Sequence, residues 1–192
     1  PPSQVQVITL AAAVAVVRGI KEATGVDTYI KWPNDIILDN RKLCGILTEM
    51  KTEIERVNYL IAGIGINIHQ EEGDFPEQFR DRALSLDMYK CKFKGKNYAQ
   101  TVRSDIIGAV LNAMEELYIQ IKDGNYRMIP DIWKSHSITL GKRVTVSFHN
   151  KKHTGIAADV SSEGGLIVNC DDGQIREVSS GEVSLRGIMG YV

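Results

Sequence analysis

The run Asp35-Ile36-Ile37-Leu38-Asp39-Asn40-Arg41-Lys42-Leu43-Cys44-Gly45-Ile46-Leu47 constrains this chain more than any other. Two apolar stretches flank a dipeptide suited to the positive φ angles of a tight turn, which predicts an antiparallel hairpin centred on Asp39-Asn40. With that centre Ile37 faces Lys42 and Asp35 faces Cys44. The strand period of two then puts Asp35 and Lys42 on one face as diagonal neighbours. Their backbones would lie about 7 to 8 Å apart, close enough for both side chains to act on one ligand. A shift of one residue would separate them, because every side chain beyond it changes face.

The hairpin has company on both sides. Tyr29 to Trp32 is a short extended run that Pro33 interrupts, and Arg41 to Lys51 is the return strand. Val57 to Ile68 is continuously apolar and is expected as a third strand buried on both faces. Two interior glycines, Gly63 and Gly65, weaken a strand unless a ligand or another backbone must come close. Residues 69–82 are polar and irregular, a loop able to cover a site. Upstream, Ser3 is a good N-cap for a helix over residues 4–23 that Gly25 stops. The stretch Ala11 to Val17 is apolar nearly all round, so this helix should be buried against a sheet.

Downstream, Leu84 to Gly95 is ambiguous. Asn97 to Lys122 reads as a long amphipathic helix stopped by Gly124, and Pro130 suits the first turn of a short helix through Trp133 and Lys134. From Leu140 the pattern changes to short alternating runs around Val144 to Phe148, Gly155 to Val160, Leu166 to Val168, Ile175 to Val178 and Val183 to Arg186. Turn residues separate them, as in a small antiparallel barrel of about 50 residues. The expected division falls near Ser137 to Leu140, giving units 1–138 and 139–192. The fold class is α+β, a mixed sheet packed against helices followed by the barrel.

Composition removes some function classes. Lys and Arg number 23 against 24 Asp and Glu, a net charge of −1. No global field attracts DNA or an anionic membrane, so nucleic-acid binding by this stretch alone is disfavoured. Cys44, Cys91 and Cys170 lie far apart without a Cys-x-x-Cys pair, which fits packing residues in a reducing cytosol rather than disulfides or a zinc site. The four histidines, His69, His136, His149 and His153, have no ligand-like spacing and read as structural or exposed. No apolar run reaches the roughly 18 residues of a membrane span. A cytoplasmic protein is expected, and the start at Pro1 without an initiator Met suggests that sequence is missing upstream.

Lys42 is the candidate catalytic residue. A lysine just after a hairpin turn is ordinarily a solvated rim charge, but this one shares a face with Asp35 beside a strand carrying Gly63-x-Gly65. A lysine over an approachable backbone can neutralise a carboxylate or phosphate and stabilise charge that grows in phosphoryl or acyl transfer. Asp35 can orient that lysine, bond a polar ligand, help hold a metal with phosphates, or simply cap the turn after Pro33-Asn34. Asn34 and Asn67 can read adenine or ribose edges or satisfy turn backbone. Gly63-x-Gly65 lacks a third glycine and opens no helix, so it is not a dinucleotide fingerprint.

Four words of the chain together resemble the bacterial biotin protein ligases, some of which are bifunctional ligase-repressors. They are Lys31-Trp32-Pro33-Asn34-Asp35, Arg41-Lys42-x-x-Gly45-Ile46-Leu47-x-Glu49, Gly63-Ile64-Gly65-Ile66-Asn67 and Gly181-Glu182-Val183-Ser184-Leu185-Arg186. The resemblance implies the class II synthetase-like biotin/lipoate ligase fold with a C-terminal SH3-like barrel. It implies a two-step reaction in which biotin and MgATP give biotinyl-5'-adenylate, and the acyl group passes to a lysine of a biotin carboxyl carrier domain. Lys42 would contact the biotin carboxylate and the α-phosphate. Gly45, Gly63 and Gly65 would let biotin lie against the strands, while Asn34, Asp35, Asn67 and Arg186 would line the adenylate side. Some members dimerise through the sheet, so a homodimer is among the expectations.

The family's arginine- and glycine-rich loop and its repressors' helix-turn-helix have no counterpart in this sequence. Three rival readings therefore stand beside the ligase: a biotinyl-adenylate-sensing repressor core without catalysis, a lipoate-type acyl ligase, and an interaction module using exposed strand edges.

Overall fold

The computed structural model describes residues 5–53, 56–94, 100–148, 151–179 and 183–185. Four strands, β1 (Tyr29–Lys31), β2 (Asp35–Leu38), β3 (Arg41–Glu53) and β4 (Arg56–Ile66), pair in sequence order as an antiparallel sheet. Parallel pairing occurs at two single bridges, Ile30 with Ser137 and Lys42 with Ala83. The turn is where the sequence predicts it: Asp39 and Asn40 have φ of 49° and 59°, and Leu38 pairs with Arg41.

Helix α1 (Val5–Thr24) covers one face of this sheet. Its residues Leu10 to Val17 are buried without exception, because the sheet lies on one side and a second helix, α3 (Arg103–Lys122), on the other. Gly19 is the point of closest approach between the helices, since a Cβ there would lie 2.5 Å from the Val110 side chain. The helix ends at Gly25, whose φ of 71° suits only a residue without a Cβ, and whose N–H caps the Lys21 carbonyl. The expected N-cap, Ser3, lies outside the described residues.

Three expectations are corrected. The ambiguous stretch after Leu84 contains helix α2 (Leu86–Lys94), capped by Ser85, whose Oγ accepts the Met88 N–H and donates to the Gln70 carbonyl. Helix α3 begins at Arg103, for Val102 is extended and Thr101 is drawn inward to accept a hydrogen bond from the buried Lys90 ammonium; the expected start at Asn97 lies outside the described residues. Among the described residues strand β4 is an edge strand, and it is not buried on both faces: Tyr59 is 53% and Ile61 56% exposed. Its apolar residues gave no alternation because its outer face carries glycines and apolar side chains instead of polar ones.

After helix α4 (Met128–Ser135) the chain pairs back on β1 and enters an antiparallel sheet of β5 (Arg143–Phe148), β6 (Lys151–Val160), β7 (Leu166–Cys170), β8 (Ile175–Val178) and β9 (Val183–Leu185). The order is β8-β7-β6-β5-β9, and each of the five short alternating runs supplies one strand. Val144, Val146, Ala157, Leu166 and Val168 fill its inner face and join the core of α1 and Trp32 in one hydrophobic cluster. Gly155 is required by packing, since a Cβ would meet the Asn169 carbonyl at 2.2 Å.

The connection carries a pH-sensitive group. Burial, and secondarily the Arg18 cation, lower the His136 pKa from 6.5, partly offset by Asp27. Between the folded value and 6.5 the unfolded chain binds a proton that the native state does not, so stability rises with pH through that window and is lost on acidification. Melting temperatures taken from pH 7 down to pH about 5.5 should fall more in the native chain than in His136→Gln, where this contribution is absent. Equal slopes in the two proteins would contradict it.

Candidate active site

A single extra residue decides which side chains share a face. From the turn, Ile37 faces Lys42 as the sequence predicts, but Ile36 then pairs with Cys44 and Asp35 with Gly45. Leu43 is therefore the extra residue of a β-bulge, and the expected pairing of Asp35 with Cys44 is wrong by one position. The consequence reaches the whole of β3, since a bulge switches the side of every later residue. Cys44 and Ile46 turn inward beneath α1, both buried, and Gly45 turns to the face of Lys42 and Asp35. Through the pairs Gly45 with Gly65 and Leu47 with Gly63, the glycines of β4 lie on that face too.

The bulge is held by groups distant in sequence. The Lys42 N–H donates to the Arg82 carbonyl at 2.7 Å, and the Lys42 carbonyl accepts the Leu84 N–H at 3.1 Å. The Leu43 carbonyl takes the Asn67 N–H at 2.9 Å. Asn34 grips Ile46 twice, its carbonyl accepting the Ile46 N–H at 2.9 Å and its Nδ2 donating to the Ile46 carbonyl at 2.7 Å. The Lys42 N–H and carbonyl and the Leu43 carbonyl are thereby paired outside the hairpin. No feature of Arg82 to Leu84 in the sequence marks them as partners of Lys42.

On the open face Lys42 Nζ lies 2.5 Å from Asp35 Oδ1. The lysine side chain is 41% exposed and the aspartate 16%, so the pair adds little to stability and instead fixes where an accessible ammonium sits. That ammonium lies across Gly45, where a Cβ would come 3.0 Å from Lys42 Cε and 3.1 Å from Nζ. Gly63 and Gly65 are different. A Cβ at either would meet nothing nearer than 3.7 Å and 3.8 Å, and neither has a left-handed φ. The fold itself does not demand glycine there; what their lack of side chains keeps is an empty floor above the sheet.

The floor is polar at one end and apolar at the other. Lys42 and Asp35 stand at one end, with Asn67 on the side of Gly65 by strand alternation. Leu47, 62% exposed, and the exposed Ile61 and Tyr59 continue the same face at the other end. Such a surface suits an amphipathic acid lying flat, with its carboxylate at the ammonium. The structure thus brings Lys42, Asp35, Gly45, Gly63 and Gly65 together. Asn34 is next to Asp35 with its amide nitrogen committed to Ile46, and Arg186 lies outside the described residues.

The surroundings behave as packing. Burial pushes the Cys44 thiol up to about 12, which makes it inert beneath the site. His69, read as structural or exposed, is held by Asp87 with Nδ1 to Oδ2 at 2.7 Å. The loop 69–82 is organised by two 3-10 turns, Glu72–Asp74 and Glu77–Phe79, and delivers Arg82 to the edge of the site. Among the described residues no group of three or more His, Cys, Asp or Glu side chains could hold a metal.

A lysine–aspartate pair stands over a glycine floor on a sheet backed by a buried helix. Comparison with known proteins gives the family. The model of the biotin/lipoate A/B protein ligase family matches residues 1–67, and that of the biotin protein ligase C-terminal domain matches residues 139–186. The chain is 30% identical to the biotin protein ligase from Aquifex aeolicus solved in complex with biotin and ATP, with a TM-score of 0.76 over 95% of this chain and 72% of that one. It is 36% identical to the bifunctional ligase/repressor BirA of Bacillus subtilis over 93% of this chain and 52% of that protein. It is 30% identical to the biotin--[acetyl-CoA-carboxylase] ligase of Mycobacterium tuberculosis over 92% and 61%. The chain belongs to the biotin protein ligase family, and spans about half the length of the BirA relatives it matches.

Proposed function

We propose that this chain forms the larger part of an ATP-dependent biotin protein ligase, with residues 1–138 as the ligase unit and 139–192 as a small SH3-like barrel docked on it. The observation that carries the reading is the glycine floor of Gly45, Gly63 and Gly65 leading to the Lys42–Asp35 pair. Biotin would lie along the floor with its carboxylate at Lys42. A carboxylate oxygen attacks the α-phosphorus of ATP, the bond to the bridging oxygen breaks, and pyrophosphate leaves. Lys42 holds both anionic partners together and stabilises the added charge on phosphorus, while Asp35 keeps the ammonium in place. The carrier's lysine amine then attacks the acyl carbon, forms the amide and expels AMP. Asn34, Asp35, Asn67 and Arg186 are the candidate nucleotide contacts.

The described residues build no carboxylate cage for Mg2+, so the ion would be held chiefly by the phosphates of ATP. The match of residues 139–186 to the biotin ligase C-terminal domain favours biotin over lipoate. A biotin carboxyl carrier domain as acceptor and a cytoplasmic location belong to the same proposal, and the free thiols Cys44, Cys91 and Cys170 agree with a reducing compartment. The expected homodimer belongs to the same proposal; among the described residues β4 is the last strand of its sheet, and its outer face carries the exposed Tyr59 and Ile61. Biotin-dependent exchange of labelled pyrophosphate into ATP, followed by transfer to a carrier domain, tests the reading in the protein carried with whatever precedes Pro1 in its native polypeptide. Exchange that biotin drives and lipoate does not is expected. Adenylate binding with neither exchange nor transfer would make the protein a sensor.

A further inference from the structure

We infer that Trp32 is a positioning residue of the activation step, the side chain through which the C-terminal unit sets the placement of Asp35 and Lys42. The inference rests on the ligase reading above. The stretch 30–35 carries it: Ile30 is tied to the connection after α4, Trp32 to the C-terminal unit, and Asn34 and Asp35 reach the site. The Ile30 N–H donates to the His136 carbonyl at 2.8 Å, and its carbonyl accepts the Ile138 N–H at 3.0 Å. Trp32, 1% exposed, spends both of its N–H groups across the boundary. Its backbone N–H donates to Thr139 Oγ1 at 2.9 Å and its indole Nε1–H to the Gly164 carbonyl at 3.0 Å, both in buried surroundings. Two residues later Asn34 clamps Ile46, and Asp35 pairs with Gly45 and Lys42.

The far anchor is stiff. The turn 161–165 is closed by Ser161 N–H to the Gly165 carbonyl, Gly164 N–H to the Ser161 carbonyl and Gly165 N–H to Ser161 Oγ. Gly164 sits at φ +92°, where a Cβ would press on Gln6 of α1, and a Cβ on Gly165 would strike Glu177. The turn is therefore wedged between helix α1 and strand β8. A second tie, Lys134 Nζ to Asp159 Oδ1 at 2.8 Å, joins α4 to β6. A buried tryptophan often does no more than fill a core. This one joins the chain before the site to the C-terminal sheet by directional bonds, two residues from Asn34, which grips Ile46, and misplacing catalytic groups by about 1 Å costs up to about 100-fold in rate.

Two variants separate positioning from packing. Trp32→Phe keeps the ring and removes the indole donor; Thr139→Val keeps the shape and removes the acceptor of the Trp32 N–H. Each should lower kcat for biotin-dependent pyrophosphate exchange by about tenfold, with KM for biotin changing much less. The Ile46 amide, bonded to Asn34, should exchange its hydrogen about tenfold faster. In a Lys42→Ala background Trp32→Phe should cost nothing further, because the lysine it positions is gone. Variants that melt earlier yet turn over at the native kcat, or that add their full effect on top of Lys42→Ala, would reduce Trp32 to packing. If the native protein shows no biotin-dependent exchange, the ligase reading falls by itself. The Ile46 amide then decides the coupling, and unchanged protection in both variants overturns it.

Discussion

Gly65→Val is expected to leave the protein folded and to remove biotin binding. The position lies inside strand β4, pairs with Gly45 and has no left-handed φ, so a β-branched residue fits its backbone. Its added Cβ would meet the Gly45 carbonyl at 3.8 Å, ordinary contact, and the rest of the side chain would stand in the open space above the sheet. A strand-forming residue that displaces nothing should hold the melting temperature within a few degrees or raise it slightly. The same side chain fills the floor on which the ring system of biotin is proposed to rest. Affinity measured by calorimetry should drop at least about 100-fold, the equivalent of about 3 kcal/mol. Native affinity in the valine variant would mean that the glycines serve some other purpose.

Lys42→Ala should produce the complementary pattern, a site that is intact in shape but chemically disabled. The lysine pairs with Asp35 while 41% exposed, so its removal costs little stability. Its backbone bonds to Arg82 and Leu84 do not depend on the side chain and should keep the bulge. What disappears is the ammonium that gathers two anions and stabilises charge on phosphorus, an effect worth roughly 100- to 1,000-fold in rate when one such donor is lost. Single-turnover adenylate formation should fall by that factor with the melting curve nearly unchanged. Lys42→Arg should rescue poorly, because a planar guanidinium fork is bulkier than the ammonium that fits over Gly45. A tenfold effect or less would move the centre of catalysis away from this residue.

Much of the local structure could be read from the residues, and the reasons are local. Asp39-Asn40 tolerates positive φ, so the turn and the pairing next to it were legible. Short alternating runs gave all five strands of the C-terminal sheet. The unbroken apolar stretch of α1 showed that it is buried against a sheet, while its second cover, α3, came from the fold. The bulge was not legible, because Leu43-Cys44 carries no signal for it; it is held by Asn67, Arg82 and Leu84, partners 24 to 42 positions away. A strict hairpin would have turned Gly45 toward α1 and left Lys42 facing a different set of residues. The sharing of a face by Lys42 and Asp35 was anticipated, and the sharing of that face with the glycines came from the irregularity.

Strand β4 shows the reverse failure. Continuous apolar character usually marks an interior strand, yet Tyr59 and Ile61 are exposed on an edge. A surface of apolar side chains and glycines left uncovered has the composition of a core and the position of a binding site. Sequence periodicity does not separate the two. The role given to Trp32 was equally out of reach, because Thr139 and Gly164 are 107 and 132 residues away from it.

The most direct test of the account is the nuclear magnetic resonance response of the isotope-labelled protein, carried with whatever precedes Pro1, to biotin alone. Shifts concentrated at the amides of Gly45, Gly63 and Gly65 and at the Lys42 side-chain nitrogen, with the resonances of β6 and β7 unmoved, are the predicted result. Saturable shifts that leave those three glycines and Lys42 unchanged and gather elsewhere would contradict it.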